Sequence, residues 1–334
     1  MILVTGGTGL VGSHLLYELT KTNKKIRAIH RSSSNLNKVK IIFSYYTKKS
    51  DELYNRIEWV ETDLNDLPGL TMAFEGVEIV YHCAAMISFD SSDYQVLRNI
   101  NIEGTSNIVN LCILKNIKKL CHVSSVATLA YNDEIIDENN YWDGNKNQSL
   151  YAITKYGGEM EVWRGMQEGL NAIIVNPGFI IGPGFWNSGS GILFKKIFNS
   201  QRLCVKGSFG YVSVFDVTHA MVCLIKSNLI NERFVLVNQN LTHERVYKII
   251  ANFFGIKSAP LLAPKYLLNL GSKIDWIVSK MTRRKRVLSK ALCVTLLRSH
   301  NFSSEKIKTR LKGFQFSSII DSFEHSCEVF SRDK

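Results

Sequence analysis

The sequence predicts an α/β fold: a doubly wound parallel sheet carrying a smaller, discontinuous C-terminal lobe. Three observations predict it. Apolar, β-branched runs alternate with helix-period segments through residues 1–180, the pattern of strands joined by helical crossovers. A glycine cluster at Gly6, Gly7, Gly9 and Gly12 follows the first such run directly. The 334 residues, 45% apolar and 21% charged, suffice for one large domain, a substantial core and a lobe.

The first strand is Ile2-Leu3-Val4, apolar enough to be buried on both faces. An apolar helical pattern, Leu15, Leu16 and Leu19, starts from Gly12. Strand, glycine turn and helix is the setting a phosphate-binding loop needs. Glycine permits the tight turn and lets a ligand approach the backbone. The helix N-terminus adds free N–H groups and a partial positive charge for a pyrophosphate. The spacing is GxxGxxG rather than GxGxxG. A plain strand–turn–helix would use the same elements, but Gly-Gly-Thr-Gly is a costly choice there without a ligand. The cradle candidates are Thr5, Gly6, Gly9, Leu10, Val11 and Gly12.

The second strand, Lys25 to His30, runs into Arg31-Ser32-Ser33-Ser34. The adenosine ribose of a dinucleotide belongs at this end, where an acid would hold the 2′-OH of NAD. Arg31 with hydroxyls suits a 2′-phosphate better, which favours NADP(H) over NAD(H). A solvated loop cation is the plainer reading of Arg31. The third strand, Ile57 to Val60, leads to Asp63-Leu64. Asp63 can accept from an adenine amine or cap a helix, and position alone does not separate the two. The fourth strand, beginning at Val77, ends in Cys83, Ala84 and Ala85, small enough for a cofactor to lie against the backbone.

Leu120 to Val123 is the fifth strand, and Ser124-Ser125 follow at the carboxyl edge where open α/β sheets bind ligands. Tyr151 and Lys155 are four residues apart and share one face of a helix. A phenol titrates near ~10 when unperturbed, and a neighbouring cation lowers that value. Tyr151 is then the acid/base for hydride transfer, Lys155 lowers its pKa and holds ribose hydroxyls, and Ser125 binds the substrate oxygen. A lone Tyr-x-x-x-Lys is common in amphipathic helices; the glycine loop and the serines set this one apart.

With these residues the sequence resembles the extended short-chain dehydrogenase/reductases. That superfamily includes the NAD-dependent epimerases and dehydratases, dihydroflavonol reductases and 3β-hydroxysteroid dehydrogenases. Gly6, Gly9 and Gly12 match its TGxxGxxG, Asp63-Leu64 its adenine-contacting Asp, and His82-Cys83-Ala84-Ala85 its HxAA. Asn99 to Thr105 matches its N-x-x-GT segment, which adds Asn101 to the catalytic set of Ser125, Tyr151 and Lys155. Family members place the active hydroxyl second in the serine pair, hence Ser125 rather than Ser124. Asn176-Pro177-Gly178 with Gly182-Pro183-Gly184 resembles its RPxxxxGPG turn, with Asn in place of Arg, so Pro177 and Gly178 join the cofactor set. Val212 to Val217 resembles its FVxVxDV strand.

The resemblance implies a Rossmann-type domain over 1–180 and a substrate lobe over 181–334, with about 205–240 returning to the sheet. Two departures narrow the class. The dehydratases carry Thr-Asp-Glu where this chain has Ser125-Val126-Ala127, and sugar-nucleotide enzymes often carry a diphosphate-clamping Arg where this register has Phe209. Ile26 to Arg31 also resembles the V-R-A-x-x-R of NADPH-using dihydroflavonol reductase-like enzymes. The reading is an oxidoreductase interconverting a secondary alcohol and a ketone on a hydrophobic small molecule. An NAD-dependent nucleotide-sugar epimerase would use the same residues. A non-catalytic cofactor-binding relative would be expected to lose Tyr151 or Lys155.

Seven scattered cysteines without a CxxC pair read as free thiols in a reducing compartment, and the eight histidines show no metal-ligand cluster. No secretory signal, eighteen-residue apolar span or nucleic-acid module is seen, so a cytoplasmic enzyme is expected. The resemblance makes a homodimer an expectation. The net charge of +12 concentrates between Lys38 and Arg56 and in Arg283-Arg284-Lys285-Arg286. The second run follows apolar Leu267, Leu268, Leu270, Ile274, Trp276, Ile277 and Val278. Such a stretch can lie on an anionic membrane; a helix covering an apolar pocket is the favoured reading. The sixth strand is Asn171 to Val175, Arg233 to Val237 is another, Thr242 caps a helix over His243 to Phe254, and 259–334 reads as mainly helical. Substrate contacts are expected from Met86 to Asp90, from 131–149 and from Phe179 to Leu193. Among Phe179, Phe185, Trp186, Phe209 and Tyr211, two or three are expected to touch substrate.

Overall fold

The computed structural model of the chain describes residues 1–22, 24–131, 135–142, 144, 148–282 and 290–334. The basic run Arg283 to Arg286 and part of the 131–149 loop lie outside the described residues. The first half contains β1 (Ile2–Thr5), α1 (Leu10–Thr20), β2 (Ile26–His30), α2 (Leu36–Ser44), α3 (Ser50–Tyr54), β3 (Ile57–Glu61), α4 (Leu67–Ala73) and β4 (Ile79–His82). Then come α5 (Tyr94–Arg98), α6 (Gly104–Leu114), β5 (Lys119–Val123), β6 (Ile135–Ile136), α7 (Leu150–Gln167), β7 (Ala172–Pro177) and β8 (Phe179–Ile181). The remainder runs through α8 (Gly191–Phe198), β9 (Leu203–Val205), β10 (Ser208–Ser213), α9 (Val214–Lys226), β11 (Glu232–Leu236), β12 (Gln239–Thr242) and α10 (His243–Phe253). It ends with β13 (Leu261–Ala263), α11 (Lys265–Thr282), α12 (Lys290–Leu297), β14 (Asn301–Phe302), α13 (Glu305–Arg310) and α14 (Ile319–Arg332).

Seven parallel strands form the main sheet in the order β11-β7-β5-β4-β1-β2-β3. The strand order reverses at β1, so the crevice beyond its carboxyl end is the switch point where such sheets bind ligands. Both faces are covered, as an all-parallel sheet requires. Leu15, Leu16, Val39, Phe43, Met221 and Leu224 pack on one face, and Leu70, Ile108, Val109, Val162 and Met166 on the other. Each such burial is worth about 1.5–3 kcal/mol. The basic Lys38–Arg56 stretch is anchored by this core: Val39, Ile42 and Phe43 are fully buried, and Tyr46 packs on Tyr17 and His14.

The smaller lobe is built on β12-β10-β8, with β10 antiparallel to β12 and parallel to β8. Phe194, Tyr247, Phe323 and Phe330 of α8, α10 and α14 pack around it. Thr242 caps α10 through its Oγ1, which accepts from Arg245 N at 3.1 Å.

Four of the five aromatic pocket candidates pack within the lobe. Tyr211 is buried against Phe179 and Phe323, Trp186 meets Phe194 and Phe330, Phe209 meets His300 and Phe302, and Lys38 lies over Phe185. The lobe needs its own core, and Phe179, Trp186, Phe209 and Tyr211 pack into it. One expectation changes here: among the described residues the apolar side of α11 faces outward rather than over a pocket. Its buried residues are Leu268, Ser272, Asp275 and Ser279, while Leu267, Leu270, Ile274, Trp276 and Ile277 are exposed. Among the described residues no helix is long and apolar enough to cross a membrane.

Candidate active site

The glycine turn sits at the carboxyl end of β1. Gly6 has φ +68°, and a Cβ there would lie 2.6 Å from Ala84 N, so both conformation and space demand glycine. Gly12 lies inside α1, where a Cβ would fall 2.1 Å from Gly6 O. Gly9 differs: a Cβ would meet only Gly6 O, at 3.3 Å. Gly9 is the N-cap of α1, makes no side-chain cap bond, and no acid stands in the first turn. The leading amides of Leu10 and Val11 therefore face the crevice with the positive end of the helix dipole. That is the electrostatics a dinucleotide pyrophosphate needs.

A buried hydrogen-bond chain runs from this turn to α7. Ala84 N donates to Thr5 Oγ1 at 3.2 Å, and Thr5 Oγ1 pairs with His82 Nδ1 at 2.7 Å. His82 Nε2 meets Thr105 Oγ1 at 3.0 Å, and that hydroxyl donates to Asn101 O at 2.7 Å. Since Thr105 spends its proton on a carbonyl, His82 must donate from Nε2 and accept at Nδ1. Burial holds the His82 imidazole neutral, with its pKa down to about 3. Asn101 continues the chain: Oδ1 accepts from Met86 N at 2.8 Å, and Nδ2 donates to Met86 O and Thr154 Oγ1. Its carboxamide is thus engaged in holding the loop after β4 onto α7, a positioning contact. Leu64 is buried beneath Gly104, where a Cβ would come within 2.7 Å of Leu64 Cβ.

At the ribose end, Arg31 is exposed just beyond β2, and its N donates to Ser34 Oγ at 3.1 Å. Asp63 is exposed, and its Oδ1 accepts from Asn65 N and Asp66 N; the cap of α4 is Asp66. Pro177 ends β7. Gly178 follows, where a Cβ would sit 2.4 Å from Gly210 O, so this glycine is needed for packing between β7 and β10. Burial raises the Cys83 thiol to about 12, an inert lining group.

Ser125, Tyr151 and Lys155 converge at the end of β5. Ser125 Oγ accepts from Ala127 N at 3.1 Å, which leaves its proton for the Tyr151 phenol. Ser124 points away and donates to buried Glu159 at 2.5 Å. Ser149 caps α7 by accepting from Ala152 N, setting Tyr151 in the first turn. Lys155 Nζ donates to Val123 O at 2.8 Å. Burial lowers its pKa to about 8, against the opposing pull of Glu159. The Tyr151 phenol is raised rather than lowered: burial dominates and the Ser125 hydrogen bond offsets part of it. The expected lowering by Lys155 is not the balance here, because the ammonium turns to the Val123 carbonyl.

Sequence reasoning did not single out Glu159 or Arg233. The carboxylate of Glu159 accepts from Ser124, Thr128, Asn176 and Trp163, and pairs with Arg233 Nη1 at 3.2 Å. The cation missing at Asn176 thus arrives from β11. Glu159 stands one turn beyond Lys155, a signal that was available; Arg233 gave none locally. Arg233 also donates to Glu138 O at 3.0 and 2.6 Å, with Tyr141 over its guanidinium, tying residues 135–142 to the sheet. Phe89 packs near Tyr151 at 6.0 Å between ring centroids, and Tyr131 lies tilted against His300 at 4.4 Å. Among the described residues no cluster suits a metal ion.

An NAD-binding family model described as "male sterility protein" matches residues 4–230. Sterol demethylase protein B of Methylococcus capsulatus is 26% identical, over 80% of this chain and 78% of that protein. A putative dihydroflavonol 4-reductase of Synechocystis is 27% identical, over 79% of this chain and 75% of that protein. The crystal structure of gox2253 superposes with a TM-score of 0.82 at 23% identity, covering 100% and 98% of the two chains. The chain belongs to the extended short-chain dehydrogenase/reductase family and is an NAD(P)-dependent oxidoreductase of that type.

Proposed function

We propose that the enzyme interconverts a secondary alcohol and a ketone on an apolar small molecule, preferring NADP(H). The observation that carries this is the meeting of the Ser125 hydroxyl with the Tyr151 phenol at the switch-point edge, beside the uncapped N-terminus of α1. When bound, the dinucleotide supplies or takes the hydride. Tyr151 Oη donates its proton to the carbonyl oxygen during reduction and takes it back during oxidation. The high phenol pKa keeps that proton in place for reduction. Ser125 Oγ–H binds the same oxygen, and Lys155 sits one helical turn away, positioned for ribose hydroxyls.

The preference for NADP(H) is supported by exposed Arg31 with Ser34 beside it and by the lack of an acid at the end of β2. Apolar character of the substrate is supported by Phe89 near Tyr151 and by the Tyr131–His300–Phe302 cluster.

Titrating the purified protein with NADPH and NADH, followed by nicotinamide fluorescence, tests the cofactor; tighter NADPH binding to a protein isolated empty is expected. Tyr151→Phe should lower turnover about 10²–10⁴-fold and leave NADPH affinity unchanged. Full turnover in that variant defeats the assignment. NAD+ that copurifies and is never consumed moves the reading to an epimerase.

A further inference from the structure

We infer that α11 is an interfacial helix that docks the enzyme on an anionic lipid surface. Leu267, Leu270, Ile274, Ile277 and Met281 step by three and four along it and are 47, 53, 52, 49 and 80% exposed. Tyr266, 70% exposed, borders the same stripe. The buried side is Leu268, Ser272, Asp275 and Ser279, which lies roughly opposite at 100° per residue. The usual arrangement is inverted: the small and polar residues face the protein, and the apolar stripe faces out. Within the lobe, Leu268 packs with Ala263 and Cys293, with Val205 and Leu297 against them. This leaves the outer stripe free of any role in that cluster. Leu261 and Leu262 on β13, which leads into α11, and Leu203 on its paired strand β9 are also more than half exposed.

Charge selects the occupant. Residues 255–300 carry ten Lys and Arg against one acid, Asp275, and that acid lies on the buried side. Lys265, Lys273 and Lys280 are exposed on the helix itself. Lys273 and Lys280 lie along one border of the stripe, and Lys280 Nζ sits 5.3 Å over the Trp276 ring. A basic border beside an apolar face, with an aromatic residue at the boundary, is the composition that settles into the headgroup layer. The spacing of three and four also fits a seam between two copies of the helix. Such a seam would bring lysine borders together with no exposed acid to answer them, where paired helices place opposite charges. At 18 residues the helix is about 27 Å long, and its polar side stays on the protein, so it lies in the surface plane.

Co-sedimentation with vesicles tests this, using pure phosphatidylcholine and phosphatidylcholine with about 30 mol% phosphatidylglycerol. The full chain is expected to bind the anionic vesicles and to be released by salt. Lys273→Glu with Lys280→Glu should weaken binding by about fivefold or more for each lost cation. Leu270→Ser with Ile274→Ser and Ile277→Ser should weaken it at least about tenfold. These side chains are exposed, so both variants should keep the wild-type melting temperature. Absence of wild-type binding to anionic vesicles, or binding indifferent to the apolar triple substitution, overturns the inference. So does a dimer by light scattering that the triple substitution turns into a monomer, which would assign the stripe to a second copy.

Discussion

Lys155 shows how a single buried residue can be held at odds with stability. Its ammonium is buried, bonded to Val123 O, and lowered from 10.5 to about 8. A shift of that size costs about 3 kcal/mol at pH 7, where the group is charged in both states. The unfolded chain keeps the proton up to 10.5 and the folded one only to about 8. Between those values the unfolded state binds more protons, so stability rises with pH through that window. Lys155→Met should therefore gain stability at pH 7, by up to about 3 kcal/mol, and the gain should shrink as pH rises from 8 to 10. Urea unfolding at both pH values measures it; a gap independent of pH would show that Lys155 is not the strained group. Turnover should fall in the same variant. Glu159 limits the strain: its carboxylate favours the charged ammonium and is itself satisfied by Arg233 and three side-chain donors besides Trp163.

At the scale of elements, the turn between β1 and α1 separates glycines needed for the fold from one left open toward the crevice. All four glycines were visible in the sequence as one motif. Their division was not, because it depends on how the folded turn sets Ala84 against Gly6 and Gly6 O against Gly12. An alanine at Gly12 must push its Cβ against Gly6 O at 2.1 Å, backbone against backbone. An alanine at Gly9 meets only Gly6 O at 3.3 Å, with φ −93°, which alanine adopts without strain. Gly12→Ala should thus lower the melting temperature strongly, by several kcal/mol in unfolding free energy. Gly9→Ala should stay within about 1 kcal/mol of wild type yet weaken NADPH binding at least about tenfold, because its methyl points where the pyrophosphate would lie. Melting curves and fluorescence titration of the two variants distinguish these outcomes. Equal loss of stability in both would mean that the open side of Gly9 is packing space. The same contrast holds at Asp63 and Asp66: either could cap α4 by residue type, and only the chain path chose Asp66.

For the whole molecule, the alternation of strand and helix made the parallel sheet legible, since β1 through β5 and β7 each announce themselves as short apolar runs. What stayed hidden depends on contacts across long sequence separations. Arg233 reaches Glu159 from another strand, and Phe179, Trp186 and Tyr211 pack into the lobe core against rings from α8 and α14. The stripe on α11 was visible as a pattern, but periodicity gives a face without its direction. Burial of histidine is likewise a property of the assembled molecule, and it sets the response to acid. His14 and His300 are held near 4, His82 near 3, and His122 well below its ordinary value, each mainly by burial. In neutral His14, Nδ1 donates to Leu10 O at 2.8 Å and Nε2 accepts from the Tyr46 hydroxyl at 2.8 Å; the Leu10 bond favours the imidazolium, but burial outweighs it. The unfolded chain protonates these groups near 6.5, and the folded chain resists until about pH 4. Between those values the unfolded state binds more protons, so stability falls as pH drops, by up to about 1.4 kcal/mol per pH unit for each group. The urea midpoint should therefore decline steeply from pH 7 to pH 5, before ordinary carboxylates begin to titrate. His14→Gln keeps a donor and an acceptor but cannot take the proton, so its decline over the same range should be shallower than that of wild type. A flat profile in wild type, or one unchanged by His14→Gln, would mean that these imidazoles reach water and that the interior around α1 opens more readily than its packing implies.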